Sequence, residues 1–249
     1  MRVLVVVLAF AVPMVFGVRD RILGRFDDRP TPTSGAGERM LLPSVLVPFD
    51  PSFTFKATQP GSSEPVTFDP CRPIEYVVRP DGAPADGDDL VAQSLQRISA
   101  ASGLMFVDAG DTDESPSVQR PNFLPQRYGD KWAPVLISWS DPVEYPQLAG
   151  SVIGAASSQP VEAQDGKLAL VSGQVTLDAP QLAQQVRAGN RAVALAVLTH
   201  ELGHLVGLGH VGDERQLMYP SARPLVTDFG PGDLTGLSAL GSGTCFESL

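Results

Sequence analysis

The stretch THELGHLVGLGH, residues 199–210, holds all three histidines of a 249-residue chain. The apolar run before and within it reads as a helix. On a helix, His200 and His204 lie four positions apart, so their imidazoles stack on one face and can reach one ion. Glu201 is one residue on, rotated by about 100° on a helix of about 3.6 residues per turn. From there a carboxylate can reach a water on the ion without being a ligand itself. Gly207 comes one turn after His204 and allows a sharp stop and reversal of the chain. The returning segment brings His210 as a third ligand. Three neutral imidazoles plus one water make an open tetrahedral zinc site, the form used for catalysis rather than for structure. Zinc acidifies its water and polarises a carbonyl, and Glu201 can take the proton and return it to a leaving amine.

Eight residues past His210 stands Met218, in the stretch LMYP. H-E-x-x-H-x-x-G-x-x-H followed by a methionine turn resembles the metzincin zinc endopeptidases, and LMYP resembles their matrixin branch. The resemblance implies an α+β catalytic domain: a twisted mixed sheet with an antiparallel edge strand, an active-site helix, a methionine turn and a C-terminal helix. It implies that Met218 forms an apolar floor under the histidines and is no ligand. It also implies an extended polypeptide substrate laid along the edge strand. The stretch GSVIGAASS, residues 150–158, falls where that strand is expected. The family's specificity pocket is expected from residues 220–233.

Several positions depart from the family. Its second, structural zinc has its own histidines, and none is left for it here; Ala155 stands where the edge strand would offer one. The last helix opens in the family with paired aspartates. Asp233 matches the second, which braces the methionine turn, or it is an ordinary acid at a helix N-terminus. Gly232 replaces the first, which anchors a processed N-terminal ammonium. Cys71 lies in FDPCRPIEY, a poor match to the family's zinc-capping cysteine motif. A Cys71–Cys245 disulfide is the simpler reading for an exported chain, against a cysteine switch or free thiols. Calcium is a further option, because Asp108, Asp111 and Asp113 cluster; without a fixed ligand spacing, a solvated acidic loop is the plainer reading.

Around the motif, residues 74–80 read as a strand. Residues 86–103 read as a helix capped by Asp86 or Asp89, with Leu90, Val91, Leu95 and Ile98 on its apolar face and Gly103 at its end. Strands are expected at 105–108, at 132–141, weakly at 150–158, and as one run at 168–178. Helices are expected at 190–208 and at 232–241. That order gives an α+β layer on one mixed sheet.

The charge balance, 18 Lys+Arg against 28 Asp+Glu, is −10. Such a chain is a poor ligand for phosphate backbones, so nucleic-acid binding is disfavoured. Residues 3–18 are uncharged and apolar, and read as a signal peptide or as an N-terminal membrane anchor. Residues 19–70, rich in Pro and Gly, read as a linker or pro-segment, with the apolar patch MLLPSVLVPF able to dock. Residues 71–249 then form the catalytic domain. The expectation is a monomeric extracellular zinc metalloendopeptidase, secreted or anchored; the rival is a catalytically silent protein-binding module on the same fold.

Overall fold

The structure, a computed structural model, describes residues 29–33, 37–45 and 47–249. The apolar run 3–18, read as a leader or anchor, lies outside them. Among the described residues no helix is long and apolar enough to cross a membrane.

In chain order the elements are β1 (Thr67–Phe68), β2 (Ile74–Arg79), α1 (Gly87–Ser102), β3 (Phe106–Asp111), α2 (Pro125–Tyr128) and β4 (Val135–Ser140). They continue with β5 (Gly154–Ser157), β6 (Pro160–Glu162), β7 (Leu168–Leu170), β8 (Gln174–Asp178), α3 (Ala179–Arg187), α4 (Arg191–Val206) and α5 (Pro231–Gly241). The main sheet has the order β3-β2-β4-β8-β5. Its first four strands are parallel, and β5 closes one edge antiparallel to β8. A smaller sheet, β1-β7-β6, sits beside it. The α+β class and the antiparallel edge strand follow the sequence reading.

The central strand β4 (VLISWS) is buried at every position. A strand covered on both faces reads as a near-continuous apolar run; here the run is interrupted by Ser138 and Ser140, whose hydroxyls donate to Val175 O and to Glu144 Oε2. Helix α1 packs its Leu90, Leu95 and Ile98 face into the same core as Leu198, Leu202 and Leu205 of α4. Between the helices, Thr199 Oγ1 donates to Leu195 O at 2.7 Å and lies 3.1 Å from Ser94 Oγ. From Ala194 to Val206 every residue of α4 is buried. A helix that is enclosed all round is held by tertiary packing, which fixes its histidines rigidly.

Three points differ from the sequence expectation. The run 168–178 is two strands, because the chain leaves the small sheet after Leu170 and enters the main one at Gln174. Gly173 lies at the break: a Cβ there would stand 2.6 Å from Leu205 Cδ1 and 2.6 Å from Ser157 O. Helix α3 was not expected. Its signals are local: Asp178 accepts from Gln181 N at 2.8 Å, Pro180 opens the first turn, and Gly189 (φ +80°) follows the end. Third, residues 53–68 show no sequence period yet pack tightly. Phe55 pairs with Leu208 in an antiparallel bridge, and Gln59 exchanges two hydrogen bonds with the Leu168 backbone at 2.8 and 2.9 Å. Val66 and Phe68 join the main core.

Cys71 and Cys245 are joined as a disulfide, with Cα atoms 5.5 Å apart. Beside it, buried Asp69 accepts from Cys71 N, Arg72 Nε and Phe246 N, tying the two ends of the domain together.

Candidate metal centre

Helix α4 ends at Gly207, whose φ of +122° is open to glycine and strained for other residues. The chain turns there, with Leu208 N donating to Gly203 O at 2.9 Å, and runs back to His210. The three imidazoles then face one point. His200 Nε2 and His210 Nε2 are 3.2 Å apart, and His204 Nε2 and His210 Nε2 are 3.0 Å apart.

The tautomers of two rings follow from their other nitrogens. His200 Nδ1 lies 2.7 Å from Leu217 O, and His204 Nδ1 lies 2.8 Å from Leu208 O. A carbonyl only accepts, so each Nδ1 carries the hydrogen and each Nε2 turns a lone pair inward. Burial pushes the His200 pKa down to about 3, the Leu217 carbonyl opposing and His210 adding to the drop. Burial likewise holds His204 well below, and His210 below, the usual imidazole value. Lone pairs of neutral imidazoles at this spacing repel one another unless a cation lies between them. Tetrahedral bonds of about 2.0–2.1 Å from nitrogen to zinc place ligand nitrogens roughly 3.3 Å apart, close to the observed spacing. An all-imidazole donor set also suits zinc rather than calcium or magnesium.

Glu201 is fully buried, and among the described residues neither carboxylate oxygen has a hydrogen-bond partner. It is pressed against Gly154 of edge strand β5, where a Cβ would stand 2.7 Å from Glu201 Cγ and 3.0 Å from its Cδ. Burial raises its pKa to about 8, and the positive charge of Lys56 pulls the other way. Lys56 arrives from the segment preceding β1, and its Nζ donates to Ala156 O of β5 at 3.4 Å. The side chain is more than a third exposed along its length. Desolvation by the neighbouring protein atoms lowers the pKa of its ammonium, Glu201 opposing.

Below the histidines, Met218 is buried to 1% exposure. A Cβ on Gly203 would meet its Sδ at 2.8 Å, so Gly203 lets the thioether lie flat against α4 between the two helical histidines. The turn around Met218 is braced from α5. Asp233 Oδ2 accepts from Leu217 N at 2.6 Å and from Gly230 N at 3.0 Å. Gln216 Oε1 reaches the other way and accepts from Gly232 N and Asp233 N at 3.0 and 3.1 Å, capping α5. Gly232 must be small, because a Cβ there would stand 2.3 Å from Ser52 O. A narrow apolar recess opens beside His200, lined by Val193, Val197, Leu217, Ala222 and Val226.

The sequence-derived set His200, Glu201, His204, Gly207, His210, Met218 and Asp233 is thus brought to one locus. Among the described residues, Asp108, Asp111 and Asp113 do not form a converging set of ligand atoms. Lys56, Gly154 and Gln216 had not been singled out. Gly154 carried a faint signal, as a glycine inside the small-residue run VIGAA; Lys56 and Gln216 carried none, since both act across distant parts of the chain.

Residues 155–239 match the family model described as Matrixin. A 58-residue stretch is 43% identical to the metalloendoproteinase 1-MMP of Arabidopsis thaliana, covering 21% of this chain and 16% of that protein. The chain therefore spans only a small part of that relative. Over residues 155–239 the chain is similar to matrixins, and the α+β architecture around that stretch is consistent with this likeness.

Proposed function

We propose that this chain is a zinc-dependent endopeptidase that hydrolyses peptide bonds in extended polypeptide. His200, His204 and His210 would hold the ion, and Glu201 would move the proton. The observation that carries this reading is the convergence of three imidazole Nε2 atoms, at 3.0 and 3.2 Å, in a site where a buried carboxylate has no hydrogen-bond partner among the described residues. A zinc ion bound there supplies a Lewis acid that acidifies a water and polarises the scissile carbonyl.

The protein's own groups do the rest. The Leu217 and Leu208 carbonyls hold two of the rings in the ligating tautomer. A carboxylate oxygen of Glu201 accepts a proton from the attacking water and delivers it to the leaving amine nitrogen. Its enclosure makes it a stronger base than an exposed glutamate. Strand β5 orients the substrate. Ile153 O accepts from Asp178 N within the sheet, so by alternation Gly154 and Ala156 turn their N–H and C=O groups to the open edge. An extended peptide laid there adds a strand, and the apolar recess beside His200 receives one of its side chains. Gly207, Met218 and Asp233 shape the site without touching substrate.

The domain reading accompanies this proposal. Residues 1–18 would be the leader or anchor of an extracellular protein, residues 19–70 a linker or pro-segment whose part from residue 53 onward is built into the fold, and residues 71–249 the monomeric catalytic domain. The test is to purify the full chain, measure zinc, and expose a peptide library to the wild type and to Glu201→Ala. The expected result is wild-type cleavage that falls by about 10²–10⁴-fold in the variant. One bound zinc with no Glu201-dependent cleavage of any peptide would reject the endopeptidase reading and leave a protein-binding module.

A further inference from the structure

Strand β5 carries two positions on its open edge, and they differ in what stands over them. Gly154 touches Glu201, the proposed proton carrier. Ala156, two residues on and on the same edge, has its carbonyl under the ammonium of Lys56. We propose that Lys56 is a specificity-determining residue, favouring substrates with a carboxylate side chain two positions from the cleaved bond, toward the Ser157 end of β5. This rests on the endopeptidase reading for the word substrate, although the contact itself can be measured by binding alone.

Lys56 is held in this place by its backbone. Lys56 N donates to Gly207 O at 2.8 Å, and Gly209 N donates to Thr54 O at 2.8 Å. Thr54 Oγ1 donates to His210 O at 2.9 Å, and Phe55 pairs with Leu208. The lysine is therefore built onto the segment that delivers the third histidine, and cannot drift from the cleft while that segment keeps its fold. Phe55 and Ala57, on either side of it, pack against the main core, which leaves Lys56 directed to the open side.

The ammonium is also poorly occupied. Its bond to Ala156 O is long, at 3.4 Å, and among the described residues Glu201 acts on it only through its field, with no carboxylate within ion-pair distance. A substrate carboxylate offers a shorter, charge-assisted bond and displaces a weak one. The chain as a whole is strongly acidic, at −10, so its general field does not favour acidic peptides. A preference for acid at a single position therefore requires a local cation, and the cleft places Lys56 there.

The test uses the full chain carrying Glu201→Gln, which holds peptide without cutting it, and a position-scanning peptide set with Glu, Gln or Lys at each position in turn. Binding is read by fluorescence anisotropy, and the wild type is assayed in parallel for cleavage. Glu should bind about fivefold tighter than Gln at one position only, and the ratio should shrink toward one in high salt. Adding Lys56→Met, which keeps the aliphatic stem, should abolish the ratio, and Lys56→Glu should turn the preference to Lys; unchanged urea midpoints show that the variants fold. A Glu:Gln ratio untouched by either substitution overturns the proposal. So does a uniform gain for all peptides in Lys56→Met, which would make the lysine an obstruction instead. If the wild type cuts nothing while the anisotropy ratio depends on Lys56, the catalytic reading fails and the subsite stands.

Discussion

Removing the charge of Asp233 should stabilise the protein at neutral pH and do little at acid pH. The carboxyl is fully enclosed, and burial raises its pKa from 3.8 to about 6 against the pull of the backbone N–H groups it accepts from. A group with a folded pKa above its unfolded value gives its full contribution to stability below the unfolded pKa and loses it as pH rises through the folded one. For Asp233 that window runs from 3.8 to about 6. At roughly 1.4 kcal/mol per pH unit, the loss across the window is about 3 kcal/mol. Asp233→Asn keeps a carbonyl oxygen for Leu217 N and Gly230 N but cannot ionise. The asparagine variant should therefore match the wild type near pH 4 and exceed it by about 2–3 kcal/mol at pH 7.5. Asp233→Ala is the control. It strands two buried N–H groups, each costing about 1–3 kcal/mol, and destabilises at pH 4 where no charge is relieved. Urea unfolding in the presence of a chelator, at several pH values, reads both effects free of zinc linkage. An asparagine-minus-wild-type difference that stays flat from pH 4 to 7.5 would refute the claim that enclosure holds this carboxyl up.

Three further outcomes are expected. Gly241→Ala should lower stability by about 3 kcal/mol or prevent folding, because its Cβ would fall 1.5 Å from Ser102 O where α5 crosses the end of α1; a melting temperature within a degree or two of the wild type would contradict that contact. Breaking Cys71–Cys245, which spans 174 positions, by Cys71→Ser should cost about 2–4 kcal/mol, read as a lower urea midpoint with an intact site. His210→Ala should weaken zinc binding by more than the roughly 10–100-fold typical of losing a group that only supports a ligand, measured by competition with a chromophoric chelator; unchanged affinity would remove His210 from the ligand set.

The site was legible in the sequence because its parts are local. His200, Glu201 and His204 share one helix, and Gly207 and His210 follow within one turn of chain, so the four-residue step between histidines and one glycine sufficed. Asp233 and Met218 were legible by resemblance, and the bonds from Leu217 N and Gly230 N show what the aspartate braces. The fold was legible where burial imposes a period, as in α1, or a short, largely apolar run, as in β4. It was less so at residues 168–178, where LALVSGQVTLD reads as one strand although the small residues Ser172 and Gly173 mark a break, with Gly173 close against Leu205 and Ser157. Helix α3 was missed although its Asp178 cap and Gly189 stop were in plain view. Residues 53–59 were illegible for a physical reason. Their order comes from pairing with residues 207–209 and with Leu168, more than a hundred positions away, and such partners leave no periodic trace. Lys56 and its contact with β5 belong to that class.

The central claim is an open, all-imidazole zinc site, and X-ray absorption at the zinc edge of the reconstituted protein tests it most directly. One zinc per chain should show three nitrogen neighbours and one exchangeable oxygen at about 2.0–2.1 Å, with one nitrogen lost in His210→Ala. A sulfur neighbour, a fourth protein ligand closing the site, or the absence of stoichiometric zinc would contradict it.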